Sequence, residues 1–112
     1  MNEQLKEPVN RVFALLVAGK YAELAALTHS KRLSAKEIAT AIAEYGKKLI
    51  TPPEDASRFM NVVEVTNAQP KRWSIVMPLW TQEEGRSDLT LELTVIEHQN
   101  DFEIELDDIH VL

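Results

Sequence analysis

The sequence predicts an α+β fold, with about three N-terminal helices packed on one face of a four-stranded antiparallel meander. Three observations predict it. Apolar residues recur every three or four positions before Thr51-Pro52-Pro53 and every second position after it, so the hydrophobic period changes from helical to extended at that break. Ser34 and Glu37 have the Ser-x-x-Glu spacing of a capping box. The 112 residues amount to one domain, with enough Leu, Ile, Val and Phe to pack a core. We read a single domain over residues 1–112, with a helical layer in residues 1–50 and a sheet layer in residues 58–112.

The first helix follows from Leu5, Val9, Val12, Phe13, Leu16 and Val17, whose spacing places them on one face. Pro8 fits only its first turn, and Gly19 is its natural stop. A short second helix holds Tyr21, Leu24, Ala25 and Leu27 and ends in the polar stretch from Thr28 to Arg32. The third starts at the capping box and buries Ile38, Ile42, Tyr45 and Leu49. Gly46 weakens its last turn, and Thr51-Pro52-Pro53 ends it because proline disfavours helical geometry in the preceding residue. Strands are expected over Met60–Thr66, Arg72–Leu79, Asp88–Ile96 and Asp101–Leu106, with an extension towards Val111. A four-residue loop, Glu97-His98-Gln99-Asn100, would pair Val95 with Phe102, Leu93 with Ile104 and Leu91 with Leu106, all on the apolar face.

Composition excludes several classes of function. Without cysteine there is no disulfide, thiolate-metal site or thiol chemistry, which suits a reducing cytoplasm. The longest apolar run, Val12 to Ala18, is far shorter than a membrane-spanning helix requires, and Glu3, Glu7 and Pro8 stand where a secretory signal would be basic. We therefore expect a cytoplasmic protein. With three glycines there is no phosphate-cradling loop, and Lys31-Arg32, Lys47-Lys48 and Lys71-Arg72 make no basic stripe for direct nucleic-acid binding.

The formal net charge of −6 is unevenly spread. Residues 1–56 carry 8 basic and 7 acidic side chains, whereas residues 57–112 carry 4 and 11. The expected register sets Glu92 opposite Glu105, with Glu103 and Asp107 on the same face, and facing like charges destabilise a sheet. Arg72 on the neighbouring strand offers internal relief. Such a face serves solubility and resists edge-to-edge aggregation. It also suits the docking of a basic macromolecule, which an acidic patch steers and orients.

Candidate chemistry is sparse. Asp107, Asp108 and His110, with Asp88, are ligand-type residues, but their spacing matches no metal signature, and on a regular strand Asp107 points away from the other two. An enzyme built on those four residues ranks last. Glu83, Glu84 and Asp88 lack a companion nucleophile, and Ser34 is a cap. Trp73 shares the parity of Ile75 and Met77 and belongs to the core. Trp80, at a strand end before a polar segment, and Arg86 are residue types favoured at interface hot spots.

Trp73-Ser74, Pro78-Leu79-Trp80-Thr81, Glu84-Gly85-Arg86-Ser87-Asp88-Leu89-Thr90-Leu91 and the ending Asp107-Asp108-Ile109-His110-Val111-Leu112 resemble a small, functionally uncharacterised bacterial domain family. That resemblance implies no catalytic residue. In type the chain is similar to immunity proteins of bacterial toxin systems such as contact-dependent inhibition, which implies a non-enzymatic partner-binding role against a cognate toxin, a basic nuclease domain in the most concrete form. The expected binding residues are Trp80, Glu83, Glu84, Arg86, Asp88, Glu92, Glu103, Glu105 and Asp107, with no metal or cofactor and the oligomeric state open. The helices-then-sheet order is similar also to nuclear transport factor two-like domains, but few strands and no inserted helix set it apart. The alternative is a small-molecule-binding or accessory domain with a pocket between helices and sheet lined by Tyr45, Phe59, Trp73 and Phe102.

Overall fold

A computed structural model describes residues 3–112 and has the helices-then-sheet order of an α+β domain. Helix α1 (Lys6–Val17) holds Pro8 in its first turn, where the missing N–H has no helical partner to lose, and buries Val9, Val12, Phe13 and Leu16. Helix α2 (Tyr21–Leu27) buries Leu24 and Ala25. Helix α3 (Ala35–Tyr45) begins at the predicted capping box: Glu37 N–H donates to Ser34 Oγ at 3.2 Å and Ser34 N–H to Glu37 Oε1 at 2.9 Å.

Its end corrects the sequence reading. Gly46 adopts a left-handed φ of +74° and caps α3, so the helix stops well before the prolines. Leu49 is then free to leave the helical stripe, and Leu49–Ile50 form a short strand, β1. A 3₁₀ segment, Glu54–Phe59, leads into β2 (Asn61–Glu64). Three long strands follow: β3 (Arg72–Thr81), β4 (Gly85–His98) and β5 (Asp101–Val111).

The sheet order is β1-β3-β4-β5, with β2 also paired to β3, and every pairing is antiparallel. The two-residue β1 thus adds a fifth strand to the expected four. The β4–β5 register differs from the expected one by two residues: Val95 faces Ile104 and Leu93 faces Leu106. Because the hairpin closes at His98↔Asp101, only Gln99 and Asn100 form the turn. A slip of two residues preserves which face each side chain takes, so apolar patterning could not distinguish the two registers. Beyond Leu93 the ladder changes step, with Glu92 facing Asp108 and Leu91 facing Ile109, so Asp107 is the extra residue of a β-bulge.

Helices and sheet share one core. Leu5, Val12, Leu16, Leu24 and Ile38 join Ile75, Met77, Leu91, Leu93, Leu106 and Ile109 in a single buried cluster. Its central row, Ile75–Leu93–Leu106, is at most 1% exposed.

Candidate functional site

The helices occupy the apolar face of the sheet, which leaves the opposite face to define a site. Cross-strand pairs align that face into rows. One row runs Val63–Ser74–Thr94–Glu105, the next Asn61–Val76–Glu92–Asp108, and a third Pro78–Thr90–His110. Ile96, paired with Glu103, is buried yet lies outside the helix–sheet core, consistent with this second face. The face is therefore neutral and partly apolar at β2, where Val63 is 54% exposed, and acidic at β5.

Its charges are partly balanced from an unexpected place. Lys31, in the loop between α2 and α3, reaches Glu105 at 3.1 Å and Glu103 at 3.3 Å, and its ammonium is held protonated above the ordinary lysine value by those two hydrogen bonds. Arg32 lies 3.7 Å from Asp107. The relief expected of Arg72 thus comes from the helical layer instead. His98 donates to Glu103 at 2.9 Å and, with Lys31, lowers that carboxyl.

Asp107 differs from Glu103, whose carboxyl is lowered. Burial raises the Asp107 carboxyl above the usual range, outweighing the hydrogen bond from Thr94 and the Arg32 charge, and Glu105 and Glu92 add to the rise. Its Oδ1 is buried without a hydrogen-bond partner.

The bulge has a second consequence. It turns Asp108 and His110 to the Glu92 side, and one ligand-type atom from each of the three lies within 4.8 Å of the others. His110 Nε2 is 2.5 Å from Glu92 Oε2, and that contact raises the imidazole above its ordinary value. Asp88 and Asp107, named with Asp108 and His110 from the sequence, stand outside this group. The residue of this group that the sequence did not place beside Asp108 and His110 is Glu92, and the signal that finds it is the odd spacing of Leu106 and Ile109: two core residues three apart on one strand demand an extra residue between them.

Other predicted binding residues have internal roles. Trp80 is 6% exposed: β3 runs two residues past Leu79, β1 pairs beside it, and Phe59 packs edge-on at 6.0 Å, so it is not an exposed anchor. Arg86 is exposed, with its guanidinium 4.1 Å from the Phe59 ring centroid, and pairs with no carboxylate among the described residues. Glu83 accepts from Lys48 N–H, tying the β3–β4 turn to β1. Glu84 accepts from Tyr45 Oη at 2.7 Å and Thr81 Oγ1 at 3.1 Å, contacts that hold its carboxyl below the usual range. Asp88 is exposed on β4 near the β3–β4 turn, its carbonyl accepting from Leu112 N–H. Of the nine expected residues, Glu92, Glu103, Glu105 and Asp107 share the acidic face.

A cavity of about 400 Å³ lies elsewhere, between α1 and the segment after β1, with Val9, Phe13, Pro53, Ala56 and Met77 as walls and Lys6, Asn10 and Ser57 among its polar groups. None of Tyr45, Phe59, Trp73 or Phe102 lines it, because Trp73 and Phe102 pack on each other and Phe59 on Trp80. No helix among the described residues is long and apolar enough to cross a membrane.

Among known proteins, the family described as Domain of unknown function (DUF7668) matches residues 13–112, which takes in α2, α3 and the whole sheet. No curated protein and no solved structure matches the chain.

Proposed function

The chain belongs to the DUF7668 family, and from that premise we propose that it is a non-catalytic binding protein that docks a basic protein partner on the outer face of its sheet. The observation that carries the reading is the row structure of that face. Glu92, Glu103, Glu105, Asp107 and Asp108 gather on β4 and β5, while Lys31 and Arg32 are the lysine and arginine that pair with them. Surplus negative charge on a rigid sheet favours fast, oriented encounter with a basic surface, and the exposed Val63 at the other end supplies apolar area to bury.

In its most concrete form the protein is a cytoplasmic immunity protein that neutralises a cognate toxin domain, a basic nuclease above all, by covering its substrate cleft. The test is co-purification from source cells at low salt and at about 0.5 M salt, where exposed charges are heavily screened. A stoichiometric protein that is toxic when expressed alone, and harmless when co-expressed with this chain, supports the reading. A Glu103→Lys/Glu105→Lys variant that protects as well as the wild type refutes the docking face.

The cavity beside Phe13 and Met77 favours a second reading, a domain that binds a small apolar molecule, since its volume lies in the range of ligand pockets. It requires thermal stabilisation by such a molecule alone, abolished by Ala14→Trp, which fills the cavity.

A further inference from the structure

The convergence of Glu92, Asp108 and His110 has a use that needs no protein partner. All three sit on paired strands, so their backbones are fixed, and the bulge at Asp107 puts them on one face. Each offers a different preparation for a ligand. Asp108 Oδ1 accepts from Ile109 N–H at 2.9 Å, which orients the carboxylate and leaves its second oxygen available. His110 presents Nε2 to Glu92 Oε2. Directly opposed Glu92 and Asp108 repel each other, and Asp107 adjoins them, so the position attracts a dication.

The dimensions suit an ion. With bonds of about 2.1 Å, a tetrahedral centre sets its ligand atoms roughly 3.4 Å apart. The three atoms already lie within 4.8 Å of one another, so side-chain movements on the order of 1 Å complete the set. One imidazole with two carboxylates suits zinc and its neighbours better than magnesium or calcium, which prefer oxygen ligands throughout. Glu92 and His110 are half-buried and Asp108 is exposed, so the remaining coordination positions are open to water or an external ligand.

We propose that Glu92, Asp108 and His110 form a binding site for a divalent transition-metal ion of the zinc class. The site goes beyond the docking reading, since it is a property of the isolated chain.

The test is titration of the full-length protein with zinc chloride by calorimetry, against magnesium and calcium chloride at the same concentrations. The expected result is one zinc per chain, no binding of magnesium or calcium, and affinity reduced by about tenfold or more in both His110→Ala and Asp108→Asn. A His29→Ala/His98→Ala variant, which removes the other histidines and the His98–Glu103 pair, should bind as the wild type does. Circular dichroism establishes that each variant is folded. The proposal is overturned by absence of zinc binding, by zinc binding that survives in folded His110→Ala, or by binding lost with His98 instead. Failure of partner capture leaves this result untouched, and failure of zinc binding leaves the docking face standing.

Discussion

The two faces of the sheet predict opposite responses to truncation, and Leu93→Ala against Val63→Ala measures the difference. Leu93 is fully buried between Ile75 and Leu106 in the central row of the core, whereas Val63 is 54% exposed on the outer face. Leu93→Ala removes three carbons; at about 0.8 kcal/mol for each buried methylene the transfer loss is ~2.4 kcal/mol. The cavity left in a packed row raises the total to about 3–4 kcal/mol. For a domain of this size that corresponds to a fall in Tm of roughly 10–20 °C. Val63→Ala removes two carbons already half in water and should cost less than about 0.5 kcal/mol. Urea denaturation followed by circular dichroism gives both numbers, with unchanged m values as the check that only stability has moved. If Leu93→Ala costs under about 1 kcal/mol, or Val63→Ala costs as much as Leu93→Ala, the assignment of a dry helix-covered face and an open outer face is wrong.

Further expectations concern single contacts. Trp80→Ala should destabilise by about 3–5 kcal/mol, since the indole is buried against Phe59; a folded variant of unchanged stability that has lost only partner binding would restore Trp80 as a surface anchor. Ser34→Ala should cost about 1 kcal/mol through loss of the α3 cap, read from the urea midpoint. Asp107, whose carboxyl burial raises, binds its proton more tightly folded than unfolded, so its effect on stability worsens as pH rises from the ordinary carboxylate value through the raised one. Asp107→Asn should therefore gain on the wild type at neutral pH relative to about pH 3, and a larger deficit at neutral pH would contradict the buried, crowded carboxylate. Glu84 has the opposite sign: its lowered carboxyl contributes stability above the ordinary value that is lost as pH falls through the lowered one. Tyr45→Phe should shift the Glu84 titration, followed by NMR, upward.

Sequence patterning identified what depends on local chemistry and lost what depends on closure. The capping box, the first-turn proline and the alternation from Leu89 to Val95 each have a local physical cause, and each element appears in place. Leu49 was ambiguous because Tyr45 and Leu49 lie four apart, a helical spacing, and only the left-handed Gly46 between them decides for a strand. The β4–β5 register was ambiguous because apolar pairing is satisfied at steps of two, and the two-residue Gln99–Asn100 turn makes the choice. Lys31 and Arg32 lie more than 70 positions before their carboxylate partners, so no spacing rule connects them. Glu103, Glu105 and Asp107 were legible as one face; Glu83, Glu84 and Trp80 were not separable from it until β1 and Tyr45 were seen to claim them.

The bulge at Asp107 is where fold and candidate chemistry meet. Leu106-Asp107-Asp108-Ile109 places two acids between two core residues, so a regular ladder continued from Leu93↔Leu106 would set Asp108 against Leu91, inside the core. A buried unpaired carboxylate costs far more than one displaced ladder hydrogen bond. The chain therefore takes an extra residue at Asp107, restores Ile109 to Leu91, and by the same step sets Asp108 against Glu92 with His110 one outward position further on. The need to keep one aspartate out of the core is enough to assemble the imidazole and two carboxylates on the outer face. Deleting Asp107 separates these roles: without the extra residue the ladder runs regularly from Leu93↔Leu106 to Glu92↔Asp108 and Leu91↔Ile109, so Asp108 and His110 should stay on the outer face. A folded deletion variant should therefore still bind zinc, and loss of binding in it would show that the pairing of Glu92 with Asp108 is not what builds the site.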